Sequence, residues 1–546
     1  MTVLESEIDI TGEEFKKNSE FMTQYVKKVR DVEQAQINTE NAYADRAKEK
    51  KKILPRARLA LLLDPGAPFV ELCSIAGFNM LDDKNGQFSG GNIICGIGYV
   101  SGRRCVVIVW NFAIKGGTIS AVTVKKMLRV QQIIFEQKLP VVSLHESGGG
   151  NLAQASAAMD PWAAAGFLDG GVVYCQQAEM SAQGIPQITV AHGNATAGGA
   201  YQVALSDYIV LVKNQTQMFL AGPPLLKAAT GEIADAEALG GAEMHATIAQ
   251  NGEYLAEDDA DGIRIAREIV AQLPKDPTLA LDEVIPPLHD PEELIGIVPC
   301  DKKIPYRVHE IIARIADGSD FFEFNPAVDQ QTICGHMRIG GKRCAVIGNN
   351  GPITPKGALK ATQFIQLCEQ SQTPMLFLQN TTGFLVGLEV EQAGQVKHGA
   401  KMIQAVANMR APKITVLVGN SYGAGNYAMA SRALKPEFVV AWPSSKTAVM
   451  GGAQAAKVME IIAEEKAKRT GEDLSVAERQ KITGQGKMIE MGLEMISESM
   501  FTSARLMDDG LIDPRDTRKI ISFFLDTCLE SKKRELQGIS FGVPHL

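Results

Sequence analysis

Short runs of β-branched and apolar residues recur along this chain, separated by stretches whose apolar positions fall at helical spacing. CVVIVW (105–110), PVVSLH (140–145) and QITVAH (187–192) read as buried strands. VTVKKMLRVQQIIFEQ (122–137) has the helical spacing and stops just before Pro140, as ALKATQFIQLCEQ (358–370) stops before Pro374. Strands alternating with helices predict parallel strands joined by crossover helices, an α/β fold. Residues 1–53, highly charged from position 12, predict a helical N-terminal arm. Residues 54–272 form a first domain, and the Pro-rich, acidic stretch 273–299 a linker. Residues 300–546 form a second domain closed by a charged helical tail.

The two domains repeat one another. ICGIGYVSGRRCVVIVWNFAIKGG (94–117) is echoed by ICGHMRIGGKRCAVIGNNGPITPKG (333–357), and IPQITVAHGNATAGGAY (185–201) by APKITVLVGNSYGAGNY (411–427). The lead-in LPRARLALLLDPGAPFVEL (54–72) matches IPYRVHEIIARIADGSDFFEF (304–324). The three blocks keep their order in both halves. Such a duplication makes two similar pockets, able to hold two substrates that must react with each other.

Bulk numbers narrow the options. At 546 residues the chain exceeds one core. An apolar content of 45% and a charged content of 22% are ordinary for a globular protein. A net charge of −8 argues against a nucleic-acid surface, and the best local cluster for an anion is Lys115 to Arg129, with Lys125 and Lys126 between. Nine cysteines include no CxxC pair and no Cys/His grouping with metal-ligand spacing, so no metal is expected. Cys105 and Cys344, at equivalent places on apolar runs, read as buried thiols in a reducing compartment. The N-terminus MTVLESEIDITGEEF is neither a signal nor a transit peptide, and no apolar run nears the ~18 residues of a membrane span. A cytoplasmic protein is expected.

Glycine-rich turns follow the third strand of each repeat, GNATAGGAY (193–201) and GNSYGAGNY (419–427), and each should open a helix. Free N–H groups at a helix start face whatever lies above them and favour negative charge. Two of them form an oxyanion hole able to contribute ~3–4 kcal/mol to a developing anion. The expected donors are Gly198 and Gly199 in the first half, Ala424 and Gly425 in the second. Close helix–strand packing without a ligand would explain one such loop; two at matched positions favour function. KGGT (115–118), SGGGN (147–151) with TTGFLVG (381–387), and FLAGPPLLKAATGE (219–232) with AVMGGAQAAK (448–457) lie at or beyond strand C-termini, where open α/β sheets bind ligands.

Competing motifs need weighing. GIGYVSG (96–102) has GxGxxxG spacing and precedes a strand, so it is not a dinucleotide loop. GNSYG (419–423) matches the GxSxG nucleophile elbow, making Ser421 a candidate nucleophile, but its repeat equivalent is Ala195. His145 is a candidate acid/base or a hydrogen-bonded structural histidine.

Together LPRARLALLLDPGAPFVEL, KGGT, TVKKMLRVQ, ESGGG, TAGGAY, FLAGPPLLKAATGE, NTTGFLVG, KHGAKM, GNSYGAGNYAMASRA, AWP and VMGGAQAA resemble the carboxyltransferase (β) subunit of biotin-dependent acyl-CoA carboxylases. The methylcrotonyl-CoA and geranyl-CoA carboxylase branch is the most similar. The resemblance implies two tandem crotonase-like domains of the ClpP/crotonase superfamily, the first binding acyl-CoA and the second carboxybiotin. It implies catalysis by the N–H groups of Gly198, Gly199, Ala424 and Gly425. On the acyl-CoA side it implies Lys115, Gly116, Gly117, Gly148, Gly149, Ala197, Gly222 and Lys227; on the carboxybiotin side, Thr382, Gly383, Phe384, Tyr422 and Gly423. Family sites lie between the first domain of one subunit and the second of another, so a homo-oligomer, usually a hexamer, is expected. The chain has no biotin-attachment MKM motif, no phosphate loop and no four-Cys zinc module. Biotin therefore comes on a biotin carboxylase/biotin carrier (α) partner, and coenzyme A as part of the substrate.

Relatives carry an aspartate before SGGA and a bulky FGR-type segment. This chain has His145-Glu146-SGGG and AQASAAMDPWAAAGFLDGG (153–171) instead, which predicts a reshaped, larger acyl pocket. Alternative readings are a biotin-dependent decarboxylase subunit beside a membrane partner, a non-catalytic carboxylase scaffold, and a biotin-independent crotonase-type hydratase or hydrolase.

Overall fold

The structure, a computed structural model, describes residues 2–80, 83–150, 161–301, 304–471 and 475–544, with the side chains of 161–167 left aside. Each repeat builds one sheet. In the first, the strand order is Val70–Leu72, Ile93–Val100, Arg103–Trp110, Val141–Ser147, Gln187–Thr196, Tyr208–Val212, Tyr254–Ala256, and Gln217–Phe219 pairs with the end of Gln187–Thr196. The second runs Thr2–Val3, Asp320–Glu323, Thr332–Ile339, Lys342–Asn349, Met375–Thr381, Lys413–Tyr422, Phe438–Ala441, with Lys446–Ala448 on Lys413–Tyr422. The matching orders make both domains the same crotonase-like α/β unit. Val107, Val109, Leu144, Val190 and Val210 are buried and pack against Leu59, Leu62, Ile263 and Val270 of flanking helices. Strands covered on both faces need continuous apolar runs rather than alternation, which is what the sequence shows.

The crossover helices Ala121–Gln137 and Pro355–Gln370 start on side-chain caps, Ser120 and Thr354, that accept backbone N–H groups from Thr123 and Gly357. The expected all-parallel arrangement needs one correction: each sheet opens with an antiparallel hairpin, Ile93–Val100 with Arg103–Trp110 and Thr332–Ile339 with Lys342–Asn349. The turns are Ser101-Gly102 (φ 49 and 71) and Gly340-Gly341 (φ 58 and 74). Two consecutive positive φ values twist a two-residue turn to match its strands. The GIGYVSG segment is thus a strand and its hairpin turn, with no nucleotide loop.

The chain divides into two compact units, Arg30–Leu279 with Thr527–Leu546, and Met1–Val29 with Ala280–Asp526. The ends therefore change sides, which the bounds expected from sequence did not include. Thr2–Val3 joins the second-repeat sheet through Phe321 and Asp320, and Ser6 donates to the Glu310 carboxylate at 2.7 Å. In the other unit the buried Arg104 guanidinium donates to Glu530 at 2.7 and 2.9 Å. A buried guanidinium needs a carboxylate, and the carboxy-terminal helix supplies it. Glu13–Asn41 and Ala44–Glu49 form the helical arm. Among the described residues no helix is long and apolar enough to cross a membrane. Cys105 and Cys344 are buried, and burial pushes the Cys344 thiol up to about 12.

Candidate active site

Three glycine turns meet at the C-terminal ends of the first-repeat strands and are stitched through their backbones. Gly148 N–H donates to the Gly116 carbonyl at 3.0 Å, Ile119 N–H to Gly149 at 2.8 Å, and the Ser147 hydroxyl to Gly117 at 2.8 Å. Side chains would break the stitching. A Cβ on Gly117 would sit 2.3 Å from the Glu146 carbonyl oxygen, and one on Gly149 2.9 Å from that of Thr196. The third turn is Ala197, held at φ 52, ψ −116 before the helix Gly198–Ala204. Its N–H donates to the Phe219 carbonyl at 3.0 Å, which ties the Gly222 and Lys227 segment to the loop, with Lys227 exposed. As the first two helical residues, Gly198 and Gly199 have no acceptor for their N–H groups within the helix. Lys115 stands at the rim, its ammonium 4.5 Å from the Phe88 ring centre.

The second repeat does the same with other residues. Ile353 N–H donates to the Gly383 carbonyl and Leu385 N–H to Ile353, each at 2.9 Å. Gly423, at φ 58, stands where Ala197 does, and the helix Gly423–Ala428 follows. Ala424 and Gly425 correspond to Gly198 and Gly199. A Cβ on Gly425 would lie 2.8 Å from Gly383 Cα, so the loop is pressed backbone to backbone on its neighbour. Thr382 is exposed and lines, with Asn420, Tyr306 and Asn350, a cavity of ≈ 180 Å³. Phe384 packs under this turn, its ring 3.0 Å from where a Gly399 Cβ would be. Burial, and next the charge of Glu494, push the Tyr422 hydroxyl up to about 12, so it stays protonated.

Residues 46–538 match the carboxyl transferase domain family. The chain belongs to that family. It is 52% identical to the β subunit of P. aeruginosa geranyl-CoA carboxylase, whose crystal structure superposes with a TM-score of 0.91 and full coverage of both chains. It is 44% identical over 487 residues to a probable biotin-dependent acyl-coenzyme A carboxylase β2 subunit of Mycobacterium tuberculosis, covering 88% of this chain and 89% of that one. A probable mitochondrial methylcrotonoyl-CoA carboxylase β chain of Drosophila melanogaster is 41% identical over 561 residues, 99% of this chain and 95% of its own. The motif-based reading is borne out: this is a carboxyltransferase β subunit of the biotin-dependent acyl-CoA carboxylase type, on the methylcrotonyl-CoA and geranyl-CoA branch.

Within this family frame, two other sequence candidates are settled by their surroundings. Ser421 is fully buried; its hydroxyl donates to Gln379 Oε1 at 2.5 Å and accepts from Asn426 at 2.7 Å. It is a strand residue inside a hydrogen-bond chain, not an exposed nucleophile. His145 is equally buried, its ring tilted against Trp110 at 4.7 Å between ring centres, and burial lowers its pKa to about 3. It stays neutral behind the loop, so the acid/base role falls away.

Glu146 belongs to a buried charge network that the sequence did not suggest. Lys52 and Arg58 both pair with it, and Arg58 also donates to Asp259 at 2.9 Å. Asp259 Oδ1 is hydrogen-bonded to His192 at 2.8 Å. Burial pushes Asp259 up, but the His192 hydrogen bond and the Arg58 charge outweigh it and hold the carboxyl at about 2. The network braces the Glu146 backbone, whose carbonyl meets Gly117. Tyr174 was also missed. It lies on the helix Pro161–Ala182, and a Cβ on Gly198 would fall 2.2 Å from its hydroxyl. One turn earlier on that face, Gly170 and Gly171 present nothing within 4 Å of a built Cβ. Among the described residues, that face of the helix is therefore a bare strip beside Tyr174. Of the Ala/Gly-rich segment, residues 153–160 lie outside the described residues, as does Asn151 of SGGGN.

Proposed function

We propose that this chain moves carbon dioxide from carboxybiotin, carried by a biotin carboxylase/biotin carrier partner, to the enolate of a branched, unsaturated or long-chain acyl-CoA. The observation that carries the reading is the matched pair of turns: Ala197 at φ 52 and Gly423 at φ 58, each followed by two first-turn residues whose N–H groups have no acceptor within the helix. In the first repeat, Gly198 and Gly199 N–H groups hold the charge that develops on the thioester oxygen as the carbon acid loses its proton. Lys115, Gly116, Gly117, Gly148, Gly149, Ala197, Gly222 and Lys227 frame the coenzyme A thioester. In the second repeat, Ala424 and Gly425 hold the ureido oxygen of biotin, and Thr382, Gly383, Phe384, Tyr422 and Gly423 shape its slot. The fit rests on an uncharged, close-packed backbone cradle: a Gly425 Cβ would meet Gly383 at 2.8 Å. When bound, carboxybiotin supplies carbon dioxide and then a basic ureido nitrogen. The loops need no side-chain base; their task is placement and electrostatic stabilisation.

The bare strip at Gly170 and Gly171 favours an acyl group longer than 3-methylcrotonyl, and the 52% identical relative is named for geranyl-CoA. The reading includes a homo-hexamer whose sites join the first domain of one copy to the second of another. It also places the chain in the cytoplasm, where its buried free thiols remain reduced. The test is fixation of labelled bicarbonate with an acyl-CoA panel after co-purifying the biotinylated chain that binds this one. Geranyl-like thioesters should turn over best; a panel led clearly by 3-methylcrotonyl-CoA sinks the substrate assignment, and no fixation with any thioester sinks the function.

A further inference from the structure

Behind the first-repeat loop lies an internal cavity of ≈ 30 Å³, lined by His145, Gln131, Gln202, Trp110, Met127 and Ser143 among others. Three of its side chains carry buried polar atoms with no hydrogen-bond partner: His145 Nε2, Gln131 Oε1 and Gln202 Oε1. Those residues are 1%, 2% and 9% exposed. The Gln131 amide orientation is fixed, because its Nε2 donates to the Val173 carbonyl at 2.9 Å. His145 Nε2 points at the loop itself, 3.3 Å from where a Gly199 Cβ would stand. Two buried acceptors and one imidazole nitrogen around a space this size fit a particular guest. A buried water needs roughly 10–15 Å³ and two to four polar partners.

We propose that this cavity is a built water site, in which one ordered water donates to Gln131 Oε1 and Gln202 Oε1, accepts from the Nε2–H of His145, and so braces the loop that carries Gly198 and Gly199. The count closes with both water hydrogens used and one lone pair filled, which requires the neutral Nε2–H tautomer of His145. Burial keeps the ring neutral. The water links the crossover helix (Gln131), the strand Val141–Ser147 beside the one that leads into the loop (His145), and the loop helix (Gln202).

The second repeat supplies the comparison. By strand register, Gln379 stands where His145 does: Gln379 pairs with Leu417 and His145 with Ala191, each ahead of the same irregularity. There the side chains bond one another and the backbone. Gln379 Nε2 donates to the Met429 carbonyl at 2.5 Å, its Oε1 accepts from Ser421, and Ser421 accepts from Asn426. The first repeat has Ala195 and Ala200 at the Ser421 and Asn426 positions, and Gln131 and Gln202 where the second has Ile365 and Ala428. The second repeat braces its loop with a hydroxyl, the first with a water. His145 is thus a positioning residue.

A crystal structure of the full chain at about 1.8 Å or better tests the site directly. Density at about 2.7–3.2 Å from all three atoms is expected; a dry cavity, or direct bonds among the three side chains, overturns the proposal. The kinetic arm rests on the carboxyltransferase reading, whereas the density does not, so the two can fail separately. H145L should lower kcat by about ten- to a hundredfold with the acyl-CoA KM within about twofold, as misplaced loop donors do. The transplant Q131I/H145Q/A195S/A200N/Q202A should recover most of that turnover and expel the water. Wild-type kcat in H145L removes the positioning role, and so does failure of a folded transplant to recover. If H145L does not fold, the wild-type density and the transplant decide.

Discussion

Adding one methyl group at Gly425 tests the assignment of the two loops. A Cβ there would lie 2.8 Å from Gly383 Cα and 3.2 Å from its carbonyl carbon, so its nearest neighbours are backbone. Carbon contacts relax to about 3.5–4.0 Å, so one of the two turns must give by roughly 0.7 Å. Misplacement of reacting groups by about 1 Å costs on the order of a hundredfold, or about 2.7 kcal/mol of transition-state stabilisation. G425A in the reconstituted holoenzyme should therefore lose about a hundredfold in kcat, with acyl-CoA affinity by calorimetry within about twofold. G199A is the control, because its nearest neighbours are the side chains of His145 and Ser147 at 3.3 and 3.4 Å, which can shift by tenths of an ångström. Its loss should be several-fold smaller. Wild-type turnover in G425A would refute the cradle; weakened acyl-CoA binding would show that the loops had been assigned the wrong way round.

Ala197 holds a φ of 52 and ψ of −116, a conformation that costs an L-residue about 1–3 kcal/mol. A197G should raise stability by about 1 kcal/mol after its extra chain entropy, measured by denaturant midpoint. G170F puts a ring into the bare strip and should cut kcat/KM for geranyl-like thioesters by at least about tenfold relative to 3-methylcrotonyl-CoA; an unchanged ratio would remove Gly170 from the acyl slot. Burial raises the Asp508 carboxyl to about 7, with Asp509 adding to the rise against the Ser503 and Gly510 hydrogen bonds. Its protonated form is favoured by folding, so that stability is full below about pH 4 and is lost as pH rises through 7. D508N should flatten the fall in melting temperature between pH 4 and 7; an unchanged slope would place the titration elsewhere.

Much of this was legible because it is local. The strand runs, the helix stops before Pro140 and Pro374 and the two glycine loops each sit within a few consecutive residues, and the duplication let each half check the other. What escaped was long-range or direction-dependent. Arg58 and Asp259 are 201 positions apart, and no pattern near either foretells their ion pair. Tyr174 reaches Gly198 only because the helix Pro161–Ala182 packs beside the loop, and that helix carries no amphipathic stripe to announce its inner face. The antiparallel hairpins could have been found: Ser101-Gly102 and Gly340-Gly341 are two-residue turn signals between apolar runs.

The exchange of chain ends bears on how the protein is made. Glu530, which neutralises Arg104, leaves the ribosome only after more than four hundred further residues, since the two are 426 positions apart. The first repeat therefore waits through synthesis of the second with part of its surface uncovered, and a chain stopped short of its last twenty residues would lack the carboxylate that meets this guanidinium. Cutting the gene between the repeats would separate each half from the end that completes it. The duplicated halves look modular, but the chain has sewn them into a single heritable piece.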